Sequence, residues 1–391
     1  MKRHVFIVGL VISIALFVHA STDIIMTIGG QTWTCSLYNG QIMIGGDWNR
    51  SALPTSASGT IIIPAEINNL PVRYIGPHSF RKQTHITSIT IPEGVEDIGF
   101  KAFEKCTNLV EVTLPSTLTN ISQNAFSGCL SLKRINSSTN LICLGDSVFS
   151  GCYSLSEIDL PESLEFIGAN AFQGCKSIKT INIPSNLREI SEHSFAGCIS
   201  LTNVEFSSSV TNIDYGAFVA CTSLKRITIP PNVVNLGAPW HIGVFRGCEA
   251  LSSVILTEGL KNISHATFEN CQAIKSIVIP DSVTNIALRA FVDCRLETII
   301  IGRGVKTIEG AAFANNSNLK SVEFRGHAPT FGRYVFGGVM GLGAPTNCVF
   351  RIHRGTTGWN IIEPSSTNEP PRIQFDGRVF PVEYVDDNSE E

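Results

Sequence analysis

One phenylalanine recurs at a nearly fixed interval over most of this chain, and that interval limits the folds open to it. Phe80, Phe103, Phe126, Phe149, Phe172, Phe195 and Phe218 lie 23 residues apart without exception, and Phe245, Phe268, Phe291, Phe313 and Phe336 follow at spacings of 27, 23, 23, 22 and 23. A single globular core has no reason to carry such a period, whereas a stack of like units does. Within one unit the inward candidates are Leu201, Val204, Phe206, Val210, Ile213, Ala217, Phe218 and Cys221, with Leu224 opening the next. So few apolar side chains cannot form a core alone. They can when each unit lies on its neighbour, which is the logic of a solenoid.

Each unit holds a short alternating run rich in β-branched residues, as at Ile227 and Ile229 or Ile277 and Ile279, and this predicts a strand. A proline commonly ends it, at Pro92, Pro115, Pro161, Pro184, Pro230 and Pro280, because proline has no N–H for the ladder. The other half-unit, such as residues 167–174, is too short for a free helix and is expected to form a single helical or 3₁₀ turn. Strands of one unit type then stack in parallel about 4.8 Å apart, in one sheet on one side of the solenoid. The open ends of that sheet need covers. Residues 21–59, with Trp33 and Trp48, are assigned to an N-terminal cap, 60–326 to the repeats, 327–384, with Trp359, to a C-terminal cap, and 385–391 to an acidic tail.

Over 391 residues the charged fraction is 16% and the net charge −4, so no basic field exists to hold a phosphate backbone, and nucleic acid is excluded as a partner. Lys2, Arg3 and His4 precede the apolar run from Val5 to Val18, and Ala20 closes it. This pattern predicts an export signal over 1–20, a mature chain beginning at Ser21 and no membrane span in that mature chain.

The repeated pattern Leu-x-x-Ile-x-Leu-Pro-x-x-Leu-x-x-Ile-Gly-x-x-Ala-Phe-x-Gly-Cys resembles the BspA-type leucine-rich repeat of bacterial surface and secreted proteins, over residues 60–326. The resemblance implies a leucine-rich repeat solenoid of about 11–12 units of 23 residues, secreted or held at the cell surface. It implies adhesion, or binding of a protein or glycan on another cell or in the extracellular matrix, without catalysis and without a cofactor. Ser137 and Ser138 replace one Leu-Pro, Ser207, Thr257 and Gly302 replace proline, and Asn315 and Asn316 replace the last Gly-Cys. These departures are expected to weaken single units.

Cys106, Cys129, Cys152, Cys175, Cys198, Cys221, Cys248, Cys271 and Cys294 all fall three residues after the repeat phenylalanine. Disulfides, a metal site and a column of buried thiols compete as explanations. Like side chains on neighbouring rungs run parallel at about 4.8 Å, whereas a disulfide wants Cβ atoms about 3.8 Å apart and converging. One cysteine per rung also makes no tetrahedron of metal ligands. The thiol column is therefore expected, each thiol acting as a small buried hydrophobe. Cys35 and Cys348 fall in opposite caps. Cys143 takes a place held in other units by Asn120, Asn212, Asn262 and Asn285, which are read as turn residues.

No nucleophile elbow, zinc-binding histidine pair or phosphate-binding glycine loop is present. The nine histidines are scattered, and Glu157, Asp159, Glu162 and Glu165 read as a solvated acidic patch. The candidate binding residues lie on the outward strand column Thr90, Thr113, Asn136, Asp159, Asn182, Glu205, Thr228, Ile255, Val278, Ile300 and Glu323. Ile255, Val278 and Ile300 form three successive apolar positions on the expected solvent face, either an interaction patch or local packing. A four-residue insertion within 235–243 carries Trp240, either a contact anchor on a loop or a cover for the repeat edge. A macromolecule-binding module is the leading reading. A structural envelope component that self-assembles through its repeats is the alternative.

Overall fold

The structure, a computed structural model, describes residues 23–45, 50–136, 138–337, 345, 347–364, 366, 369–375 and 377–386. The expected export signal, Trp48 and residues 387–391 of the expected tail lie outside the described residues. The repeat phenylalanines stand in file: consecutive rings from Phe80 to Phe336 stack with centroids 4.9–5.8 Å apart and planes within 19° of parallel. Around that file the chain winds a β-solenoid of about twelve turns, and its core runs unbroken from Trp33 to Val382.

Each turn contributes two strands rather than the single one expected. The longer ones build a parallel face that includes Gly59–Ile62, Ile86–Thr90, Glu111–Thr113, Ser276–Ile279, Thr298–Ile301 and Ser321–Phe324. The shorter ones build a second parallel face, from Leu70–Ile75 through Asn120–Ile121 and Asn262–Ile263 to Thr330–Phe331. Asn120, Asn212, Asn262 and Asn285 therefore sit in strands, not turns, and Cys143 pairs directly with Asn120. Two ladder residues per turn are too few to show an alternation in the sequence, so only stacking reveals them.

The half-unit around the phenylalanine is not helical, and no helix occurs among the described residues. Its backbone alternates in handedness. In every regular unit the described residues two before and two after the phenylalanine take positive φ, as Asn170 (58°) and Gly174 (72°) do around Phe172 and Lys101 (55°) and Lys105 (60°) do around Phe103; Gly243, before Phe245 in the lengthened unit, does not. Successive N–H groups then point to different partners. Asn170, Phe172 and Gly174 donate to Glu192, Ser194 and Ala196 of the next turn, whereas Ala171, Gln173 and Cys175 donate within their own turn. A helix would keep all six within the turn. A left-handed non-glycine residue costs roughly 1–2 kcal/mol, and here the ladder between turns holds it in place.

The cysteine column is present as expected, and each thiol does more than fill space. Cys198 Sγ donates to the Phe172 carbonyl of the turn before (3.3 Å), and the same bond recurs from Cys106 to Phe80 (3.0 Å) through to Cys294 to Phe268 (3.0 Å). All twelve cysteines are free thiols. Burial pushes the Cys152 and Cys221 thiols up to about 12, so they remain protonated donors at neutral pH. Amides close both ends of the column. Gln83 Nε2, at the thiol position of the first unit, donates to Leu53 O (3.1 Å) and Ser51 Oγ (2.9 Å).

At the other end Asn316 Nδ2 donates to the Phe291 and Phe313 carbonyls (2.9 and 2.8 Å), while its Oδ1 accepts the Leu296 N–H (2.9 Å). Asn316 is thus a compensation rather than a weak point. The preceding unit has 22 residues, so Leu296 lies only two residues after Cys294. In a regular unit the corresponding N–H reaches back three residues, as Leu224 does to the Cys221 carbonyl, and the Asn316 amide supplies the partner that the shortening removes. Hydroxyls likewise serve where proline is replaced: Ser138 Oγ bonds Leu118 O (3.0 Å) and Thr257 Oγ1 bonds Ile229 O (2.8 Å).

At the N-terminal end Ile24–Ile28, Gln31–Tyr38 and Gln41–Ile44 form an antiparallel meander, and buried Trp33 meets Phe80 edge-on at 6.5 Å. At the other end Ile361–Ile362, Arg372–Phe375 and Arg378–Val385 pair antiparallel, and Phe336 meets Phe350 and Phe375 edge-on. Trp359 packs on Phe324 at 4.9 Å. Val385, placed at the start of the tail from sequence, ends the last strand, and Asp386 pairs with Arg354 at 3.0 Å.

Candidate functional site

Pairing in register fixes which side chains share the outer side of the long-strand face. Thr228 lies beside Ile255, and Val278, Ile300, Glu323, Arg351 and Glu383 follow one another across adjacent strands. Ile255 is 54% and Val278 51% exposed, while Ile300 is half-buried. The same file begins earlier than the sequence indicated, at exposed Ile62, which pairs with Thr90. It also ends later, in Arg351 and Glu383, which form an ion pair at 3.1 Å. Neither addition follows from the 23-residue spacing, since Ile62 lies 28 residues before Thr90 and Arg351 lies 28 after Glu323.

Asp159 and Glu205 are exposed on this side as well. Glu205 accepts a hydrogen bond from Asn203 Nδ2 (3.2 Å) and lines a groove of about 460 Å³ with Arg226, Thr228 and Pro231. The groove lies where the strands Asn203–Glu205 and Arg226–Thr228 belong to separate ladders. Glu157, Asp159, Glu162 and Glu165 are all exposed. Hydrogen bonds from the Ser185 hydroxyl and N–H hold the Glu162 carboxyl below its usual range. Among the described residues, no group of three or more His, Cys, Asp or Glu side chains is arranged to hold a metal ion.

Trp240 belongs to another part of the molecule, on the outer side of the short-strand face. The insertion leaves the column after Leu236 and rejoins it where Ile242 and Val244 accept N–H bonds from Gly216 and Phe218. A side chain at Gly243 would run into the Ala266 carbonyl, so glycine alone permits that return. Between these anchors Trp240 stands 77% exposed with φ of 63°. It walls a groove of about 560 Å³ that Asn212, Asn235, Asn262, Asn285 and Glu309 help to line. Asn262 Nδ2 donates to Asn235 Oδ1 (2.6 Å), and the Glu309 carboxylate accepts from Asn285 Nδ2 (3.3 Å) and the Leu288 N–H (2.9 Å). Behind the loop, Tyr215 stacks on His241 at 4.3 Å, and His265 Nδ1 meets the His241 carbonyl at 2.9 Å. Burial raises the Asp214 carboxyl, with His241 and His193 opposing it.

The repeat and the fold have counterparts among known proteins. The model of the BspA type leucine rich repeat region matches residues 73–195, 142–239 and 241–344, in six copies. The chain belongs to the BspA-type leucine-rich repeat family. Among solved structures, a leucine-rich repeat protein from Bacteroides ovatus is 24% identical, covers 84% of this chain and 94% of its own, and superposes with a TM-score of 0.53. The pneumococcal vaccine antigen PcpA is 17% identical over 84% of this chain and 87% of its own, with a TM-score of 0.55. A T. pallidum leucine-rich repeat protein is 28% identical over 49% of this chain and 87% of its own, with a TM-score of 0.45. No curated protein matches the sequence. In BspA-type terms, the consensus Leu, Ile, Phe and Cys positions are the buried ones, and the positions between them make up both outer surfaces. No helix among the described residues is long and apolar enough to cross a membrane.

Proposed function

We propose that the protein is an exported, non-catalytic binding module that holds an extracellular macromolecule, protein or glycan, against the outer side of its long-strand face. The observation that carries this reading is the apolar file of exposed Ile255 and Val278 and half-buried Ile300, flanked by polar Thr228 and Glu323 on two successive parallel ladders. Apolar side chains in water on adjacent strands gain by being covered, and a polar rim gives a partner its register. PcpA, a vaccine antigen by name, shares the fold, which supports a surface role for this chain too. Antiparallel strands continue the short-strand face at the N-terminal end and the long-strand face at the C-terminal end, so at each end one of the two faces has no free parallel edge for stacking. This supports binding over self-assembly through both faces at once.

The test is capture of the protein by arrayed matrix proteins and glycans, with light scattering to fix its oligomeric state. A monomer that is captured, and a triple variant Ile255→Thr, Val278→Thr, Ile300→Thr that is not, support the reading. Capture unaffected by the triple variant refutes the assigned face, and concentration-dependent growth returns the envelope-component alternative.

A further inference from the structure

The groove beside Trp240 shares no lining residue with the long-strand face, and its chemistry is different. We propose that it is a subsite for a neutral, β-linked oligosaccharide, in which the Trp240 indole stacks on the C–H face of one pyranose while Asn212, Asn235, Asn262 and Asn285 hydrogen-bond the hydroxyls of successive sugars.

Four observations support this assignment. First, Trp240 is held out into water by a loop anchored at both ends, although its large apolar ring would gain by burial in the adjacent column. The ring is flanked by His265, centroids 6.3 Å apart, whose imidazole is tied to the loop backbone, so the indole face has a fixed neighbour. Second, each asparagine offers donors and an acceptor in one plane, which is the pairing a sugar hydroxyl needs, since it both gives and takes a hydrogen bond. The Asn262 to Asn235 bond uses only one donor and one lone pair of two amides that line the groove.

Third, the amides come from four successive turns, one per rung, at a spacing of about 4.8 Å. An extended β-linked hexose chain advances by close to that distance per sugar, so one amide meets each ring. Fourth, no Lys or Arg lines the groove, and of its two carboxylates Asp214 accepts the Tyr215 N–H while Glu309 is engaged by Asn285 and Leu288. An anionic glycan or a phosphate therefore has no counter-charge to find. An extended peptide has no strand to join either, because the backbone of the short-strand face is already paired to the turns on either side.

The experiment is titration of the full chain with cellohexaose and with chitohexaose, followed by calorimetry and by tryptophan emission. Saturable binding of at least one of them, with a change in emission, is expected. Trp240→Ala is expected to weaken that binding at least about tenfold and to abolish the emission change. As Trp240 is largely exposed, circular dichroism should be unaltered. Asn262→Ala combined with Asn285→Ala keeps the loop and is expected to weaken binding to a similar degree. The triple variant of Ile255, Val278 and Ile300, which tests the long-strand face, should leave hexaose affinity within about twofold. The proposal is overturned if neither hexaose binds saturably, if Trp240→Ala binds as the parent does, or if the triple variant loses the hexaose.

Discussion

The inner file of phenylalanine and cysteine and the outer file of the long strands are built from the same turns, yet they follow opposite rules. Inside, like meets like: each Phe ring lies on the Phe of the next turn, and each thiol bonds the Phe carbonyl of the turn before. Outside, the corresponding positions run from Ile62 through Thr, Asn, Asp and Glu to Ile and Val and on to Glu and Arg. The difference teaches that a solenoid demands identity only where one turn is the floor of the next. Where a position faces water, the ladder is indifferent to it, and partner recognition can use it.

The strongest way to break this comparison is to open the inner file in the middle. Phe172→Ala removes a fully buried ring stacked on both sides and is expected to cost about 3–5 kcal/mol in denaturant unfolding. A cost below about 1 kcal/mol would mean that the stack is incidental. Next comes the end of the file. Asn316→Ala strands two carbonyls and one N–H and should cost roughly 2–4 kcal/mol, whereas Asn315→Ala beside it should cost far less.

A smaller effect is expected from acid. Hydrogen bonds from the Ser116 N–H and hydroxyl depress the Glu93 carboxyl, as those from Ser185 depress Glu162. A carboxyl depressed in the folded state stabilises fully above its unfolded value and loses that contribution as pH falls through the folded one. The melting temperature should therefore drop below about pH 4, and Glu93→Gln with Glu162→Gln should flatten part of that drop. An unchanged acid limb would remove the role assigned to these bonds. The smallest change sharpens the outer side of the comparison. Thr at Ile255, Val278 and Ile300 keeps β-branched side chains on the strands and should shift stability by no more than about 0.5 kcal/mol per position. A larger loss would make the patch part of the core.

The period made the solenoid, the inward columns and the buried thiols legible, because each is a choice repeated at one register. The second ladder was not, since Asn212–Ile213 and its equivalents are two residues long and asparagine there looks like a turn signal. The bend was misread for a related reason. Its left-handed positions carry Asn or Gly in some turns but Lys101, Ala220, Ala266 or Arg289 in others, so no uniform glycine signal set it apart from the single helical or 3₁₀ turn that its length suggested, while the ladder between turns imposed something else. Asn316 looked like a lost cysteine because its partner, Leu296, belongs to the turn before. The insertion at Trp240 was plain in the spacing, but the amide row beneath it, with Asn235 and Glu309, comes together from five separate turns and has no local signature.

The alternating bend also bears on how the molecule comes apart. A turn that lends half its amides forward and receives as many from behind cannot leave the middle without baring both neighbours. Fraying therefore has to begin at the tips, where the closing strands answer to one side only, and a protease would nibble this protein from its ends toward a middle that stays shut.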